Sequence, residues 1–178
     1  MKRTILVFGL ISGAISSLMM VSTVPLLHKI GTAKGAVVGY TAIVLSFMLV
    51  FFGIRSYREN LGNGEITFGK AFVVGLGITL ISCVFYVATW EIIYFKFMPN
   101  FMDDYGLQAI DRLRAAGATA EVIQAKISEL NQLKENYKNP LYNSALTFLE
   151  PFPVGLVITL VSAGILRKKR RVAIPATA

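Results

Sequence analysis

Long uncharged apolar runs alternate with short polar stretches along this chain. Ile5 to Leu27, Val37 to Ile54 and Ala71 to Trp90 contain no Asp, Glu, Lys or Arg. Each is long enough to cross the ~30 Å hydrocarbon layer as a helix. A fourth run follows Pro153, but Val154 to Leu166 is only 13 residues, roughly 20 Å at the helical rise, so the helix must begin earlier. The pattern predicts spans over 5–27, 35–54, 70–95 and 142–166. The last would contain Pro151 and Pro153 and be kinked there. The alternative is a helix starting at Pro151 after a buried or interfacial approach from Asn143 to Glu150.

Small residues recur every fourth position within the spans: Gly9, Gly13 and Ser17; Gly35 and Gly39; Ala71, Gly75, Thr79 and Cys83; Gly155, Thr159 and Ala163. Lipid supplies no hydrophobic drive for helix association, so close packing along such stripes predicts a compact bundle. Between the spans, His28 to Lys34 reads as a polar link in which Gly31 stops a helix. Arg55 to Phe72 reads as an elbow, with a tight turn at Gly62-Asn63-Gly64 and Thr67 as the N-cap of the next helix.

The largest polar segment, Lys96 to Leu141, carries six basic and six acidic residues. Leu107, Ile110 and Leu113 follow the 3.6-residue period, as do Ile123, Ile127, Leu130 and Tyr137. Gly117 ends the first of these helices, Thr119 caps the second, and the second stops before Asn139-Pro140. The expectation is an amphipathic hairpin resting on the bundle or the membrane surface; a solvated linker with two short helices is the plainer alternative.

Gly53-Ile54-Arg55, Tyr57-Arg58-Glu59 and Gly64-Glu65-Ile66-Thr67-Phe68-Gly69-Lys70-Ala71-Phe72 resemble the signature of a bacterial membrane-protein family catalogued as domain of unknown function 4199. The resemblance covers nearly the whole chain, and its motif is specific across the elbow and the start of the third helix. It implies a small four-helix protein of the bacterial inner membrane. It brings no catalytic or binding residue with it.

Composition agrees with a multi-pass protein. Of 178 residues, 54% are hydrophobic and 16% charged, against about 25% charged in soluble domains. The net charge of +8 is concentrated in Arg167-Lys168-Lys169-Arg170-Arg171, directly after the last span, where anionic lipid is a simpler partner than nucleic acid. Lys2, Arg3, Arg55, Arg58, Lys70 and these five tail residues share one side if both termini are cytoplasmic, against Lys29 and Lys34 on the first outer link. The positive-inside rule therefore predicts cytoplasmic termini, an extracytoplasmic hairpin over 97–141 and a basic cytoplasmic tail over 167–178. The first run is too long, and lacks a convincing cleavage site, for a cleaved signal peptide.

Candidate chemistry is sparse. One histidine and one cysteine leave no zinc site of the usual kind and no internal disulfide. Gly64 to Lys70 fits seven positions of a phosphate-binding loop, but Ala71 lacks the hydroxyl that holds Mg²⁺, and a turn with a helix cap explains the string better. Glu91 and Glu150 are the carboxylates nearest the membrane. They are candidates for an ion or ligand cluster at the outer mouth, helped by carbonyls freed at Pro151 and Pro153. Arg55, Arg58, Lys70, Arg167, Lys168, Lys169, Arg170 and Arg171 are candidates for lipid headgroup contact. Tyr86, Trp90, Tyr94 and Phe95 read as interfacial packing.

The reading is an all-α integral membrane bundle of four transmembrane helices, a single domain over residues 1–178, with the hairpin between helices 3 and 4. No cofactor, metal or nucleic acid is expected. Partners would be anionic lipids of the cytoplasmic leaflet and a second copy or another membrane protein. Non-enzymatic structural or interaction work is expected. The alternative is a small transporter or channel for protons or small ions, which needs a polar path; Ser46, Thr79, Ser82 and Thr159 are the residues available for one.

Overall fold

A computed structural model describes residues 1–24 and 27–168, and the side chains of all of these except 27–33. Its helices are α1 (Lys2–Thr23), α2 (Leu27–Leu61), α3 (Phe68–Phe97), α4 (Phe101–Ala115), α5 (Ala120–Tyr137), α6 (Pro140–Phe148) and α7 (Pro151–Leu166). Among the described residues the chain is all-α apart from one isolated backbone bridge. Lys2–Thr23, Lys34–Leu61, Phe68–Phe97 and Pro140–Leu166 are each long and apolar enough to cross a membrane. Large apolar side chains on the outside, such as Leu18, Val84 and Ile165, are exposed, as suits a bundle whose solvent is lipid.

The bundle is a four-membered ring in which α1 and α7 each pack against both α2 and α3. Small residues set its spacing. A Cβ built on Gly9 would lie 2.8 Å from Ile81 Cβ, and one on Gly13 2.7 Å from the Phe85 ring. On the other side, a Cβ on Gly155 would meet Thr79 Cγ2 at 2.5 Å, and one on Gly75 would meet Thr159 Cγ2 at 2.8 Å. These glycines let backbones approach where a methyl group would not fit. Gly39 departs from this pattern: nothing lies within 4 Å of a Cβ placed there.

Two polar connectors are shorter than the sequence suggests. Gly31 does not stop a helix, because α2 is continuous from Leu27 through the expected link. At its other end α2 runs to Leu61, two turns beyond Ile54, so Arg55 and Arg58 stand on a helix rather than in a loop. The elbow proper is Gly62 to Thr67. Asn63 (φ 50°) and Gly64 (φ 81°) form its left-handed turn, and Thr67 Oγ1 accepts from Lys70 N at 3.4 Å to cap α3.

The fourth span runs Pro140–Leu166 and is kinked ahead of Pro151, where Leu149 and Glu150 keep helical backbone angles but separate α6 from α7. Asn139 Oδ1 accepts from Leu141 N at 3.0 Å, and Pro140 occupies the first turn of α6, where a missing N–H costs nothing. Pro151 does the same for α7. The break between them keeps its backbone satisfied, since Leu149 N and Glu150 N donate to the carbonyls of Leu146 (3.1 Å) and Thr147 (3.3 Å). Satisfaction of this kind is required where water is scarce. α7 alone is 16 residues, about 24 Å, so α6 completes the crossing.

The hairpin forms as its periodicity predicts. Gly117 (φ 72°) ends α4 in a left-handed turn, and Thr119 Oγ1 accepts from Val122 N at 3.4 Å to cap α5. Ile110 and Leu130 are buried, whereas Leu107 is exposed. The hairpin docks on the end of α3 through aromatic edges: Trp90 against Phe101 (5.0 Å between ring centres) and Tyr94 against Tyr137 (5.5 Å).

Candidate functional site

The last turns of α3 face α6 along a polar seam at the hairpin end of the bundle. Trp90 Nε1 donates to Asn143 Oδ1 at 3.1 Å, and Thr147 Oγ1 donates to the same oxygen at 3.1 Å. On one side of this pair, Ser144 Oγ donates to Glu91 Oε1 at 2.9 Å. On the other, Tyr86 Oη donates to Glu150 Oε2 at 2.9 Å. One-turn spacing explains the alignment, since Tyr86 and Trp90 are i, i+4 on α3 and Asn143 and Thr147 are i, i+4 on α6. Asn143 is fully buried and its Nδ2 has no hydrogen-bond partner.

Glu91 and Glu150 therefore share a seam without forming one cluster. Each is held by its own hydroxyl donor, and the Trp90–Asn143–Thr147 contact lies between. The carbonyl of Thr147, which Pro151 would otherwise leave free, is taken by Glu150 N. The break between α6 and α7 thus supplies a position for Glu150 rather than a set of open carbonyls.

Glu150, unlike Glu91, lines the cavity at this end. A space of about 450 Å³ lies between the hairpin and the ring of helices, bounded by the end of α1, the start of α2, α3, α4, α5 and α6. Its walls include Tyr86, Trp90, Phe101, Tyr105 and Tyr137, and Glu150 is the only charged residue among the described residues lining it. Gly35 and Gly39 also line it. That is why Gly39 meets no neighbour: it borders the cavity instead of a helix.

Below this end the bundle is closed. Ser12 and Ser46 hydroxyls lie 3.0 Å apart, Thr79 and Thr159 hydroxyls 3.1 Å apart, and Ser82 Oγ donates to Ile78 O at 2.9 Å. All five side chains are at most 2% exposed. Ser46 and Ser82 border one internal gap that is too narrow for water, and Thr79 and Thr159 pair with each other outside it, so the four hydroxyls singled out from the sequence do not line one open path. Among the described residues no group of three or more His, Cys, Asp or Glu is arranged to hold a metal.

At the opposite end, Arg55, Lys70, Arg167 and Lys168 are exposed and Arg58 is half-buried. Arg55 Nε pairs with Glu59 at 2.9 Å, and Arg58 Nη1 donates to Leu166 O at 3.4 Å. Lys169, Arg170 and Arg171 lie outside the described residues. On the hairpin, Lys134 donates to Asp103, which raises the Lys134 pKa above its ordinary value. Burial against the bundle raises the Tyr137 phenol.

A family model, described as a protein of unknown function (DUF4199), matches residues 7–168. The chain belongs to this family. The match takes in the elbow, the polar seam and the whole hairpin. No curated protein and no solved structure matches the chain. Asn143, Ser144 and Thr147 escape a reading based on charge. The signal available for them is three polar residues at helical spacing inside a stretch that hydropathy assigns to a span.

Proposed function

We propose that this protein is a non-enzymatic interaction protein of a bacterial inner membrane, with both termini in the cytoplasm and the α4–α5 hairpin on the far side. The observation that carries this reading is the closed centre: Ser12 with Ser46 and Thr79 with Thr159 satisfy one another within the packed ring. A conduit would need such groups to face a common path. The orientation is supported by the lysines and arginines gathered at the elbow end. There Arg55, Arg58, Lys70, Arg167 and Lys168, together with the tail, would meet anionic headgroups. The hairpin offers the contact surface for a second copy or another membrane protein.

A transporter of protons or small ions is the second reading, and Glu150 at the cavity wall favours it. Proteoliposome flux with protons and monovalent cations, on wild type and on the Glu91→Gln, Glu150→Gln pair, separates the two. The interaction reading expects wild-type flux no greater than in empty vesicles. Flux in wild type that is lost in the pair replaces it with transport.

A further inference from the structure

We propose that the hairpin-capped cavity is a binding site for an organic monocation: an ammonium group carried on an apolar body. Three observations converge on that chemistry. The cavity, about 450 Å³, has the size of a small-molecule site. Its walls carry Tyr86, Trp90, Phe101, Tyr105 and Tyr137, and aromatic faces attract cations through their quadrupoles. Glu150 supplies the one formal charge among its described lining residues. Tyr86 fixes Glu150 Oε2, and Glu150 itself lies on the cavity wall.

The class follows from what each part excludes. A hydrated metal ion would find one carboxylate and otherwise neutral hydroxyls, those of Thr23, Tyr86 and Thr147 already engaged with Met19, Glu150 and Asn143, in place of the several anionic or carbonyl oxygens it requires. An anion would meet Glu150 with no described basic residue at the walls. A neutral apolar molecule would fill the space and leave the carboxylate unpaired, at a cost. A cation with an apolar body pairs with Glu150 and covers the rings. A free organic cation and the amine of an aminophospholipid share this chemistry.

Trp90, the only tryptophan in the chain, lines the cavity and reports on occupancy. Protein in an uncharged maltoside detergent is titrated with benzyltrimethylammonium and with its neutral isostere neopentylbenzene, following Trp90 emission. The cation is expected to give a saturable change, with apparent Kd at least tenfold weaker in Glu150→Gln and in wild type with the isostere. Gly39→Leu, directed into the open space beside Gly39, provides the second variant. It keeps Glu150 and the fold, checked by circular dichroism, and abolishes the response.

Absence of a saturable change in wild type overturns the proposal. So does equal affinity for cation and isostere, or an affinity that Gly39→Leu leaves intact. Repeating the titration in phosphatidylglycerol nanodiscs with and without phosphatidylethanolamine separates the two sources. Competition by that lipid assigns the site to a lipid amine, and its absence assigns it to a free cation.

Discussion

Ile66 and Lys168 exchange both backbone hydrogen bonds, Ile66 N to Lys168 O at 3.1 Å and Lys168 N to Ile66 O at 2.9 Å. This antiparallel bridge fastens the elbow to the chain leaving α7, and Arg58 reinforces it by donating to Leu166 O. Ile66 is also buried, at 3% exposure. Ile66→Val keeps the bridge and should cost about 0.5–1.5 kcal/mol. Ile66→Pro also removes the donor, so trypsin should cut after Arg167 and Lys168 several-fold faster in that variant than in Ile66→Val. Equal cutting rates, followed by mass spectrometry, would show that the bridge does not restrain the tail.

The small-residue stripes are expected to respond in opposite directions. Gly155→Leu drives a side chain into Thr79 and Phe47, an overpacking that typically costs about 1–3 kcal/mol. Gly39→Ala meets open space and gains helix propensity, so it should be neutral or stabilising by up to about 1 kcal/mol. Unfolding in mixed SDS micelles compares the two directly. A destabilised Gly39→Ala would place a helix where the structure has a cavity.

Thr79 and Thr159 provide a measure of hydroxyl pairing inside the bundle. Each is fully buried, and Thr79 Oγ1 also lies 3.4 Å from Gly155 O. Replacing one by Val leaves the other without its side-chain partner, whereas replacing both removes the need for one. The double-mutant cycle should give a coupling of about 0.6 kcal/mol, the scale found for hydrogen bonds between membrane helices. Additive losses in SDS unfolding would show that the two hydroxyls act independently.

Alkaline pH should loosen the hairpin. Lys134 has a folded pKa above its ordinary 10.5, because Asp103 accepts from its ammonium group. Its contribution is complete below that value and is lost as pH rises through the folded pKa. Tyr137 is raised above 10.0 by burial. The unfolded phenol ionises first, so stability also falls with pH above about 10. Near-ultraviolet circular dichroism of the docked aromatics should decline from about pH 10 upward, and earlier in Asp103→Asn. A flat signal from pH 8 to 11.5 in wild type would contradict this.

The parts legible in the sequence are those set by local rules. Charge-free runs gave the spans, while Thr67, Gly117 and Thr119 marked ends that depend on a single cap or a left-handed residue. The limits of α2 were hidden because Arg55 and Arg58 are good helix formers; polarity marks where lipid ends, not where a helix does. The kink in the fourth span was visible at Pro151, which lacks a helical donor. Asn139-Pro140 and Glu150-Pro151 are both helix-start signals, but summed hydropathy merges α6 with α7. Glu91 and Glu150 could be picked out by charge. Their different partners, Ser144 and Tyr86, depend on how α3 meets α6, and the cavity depends on the open space beside Gly39.

Cys83, the only cysteine in the chain, is fully buried between the packed helices. A thiol reagent added to folded protein has no route to it, so native protein should stay unlabelled by maleimide until it is denatured. The natural sequence is thus a ready background for mapping sidedness by site-directed labelling. A single new cysteine at Leu107 on the hairpin, or at Lys70 by the elbow, reports which face of a sealed vesicle it occupies, with no need to remove a native residue first.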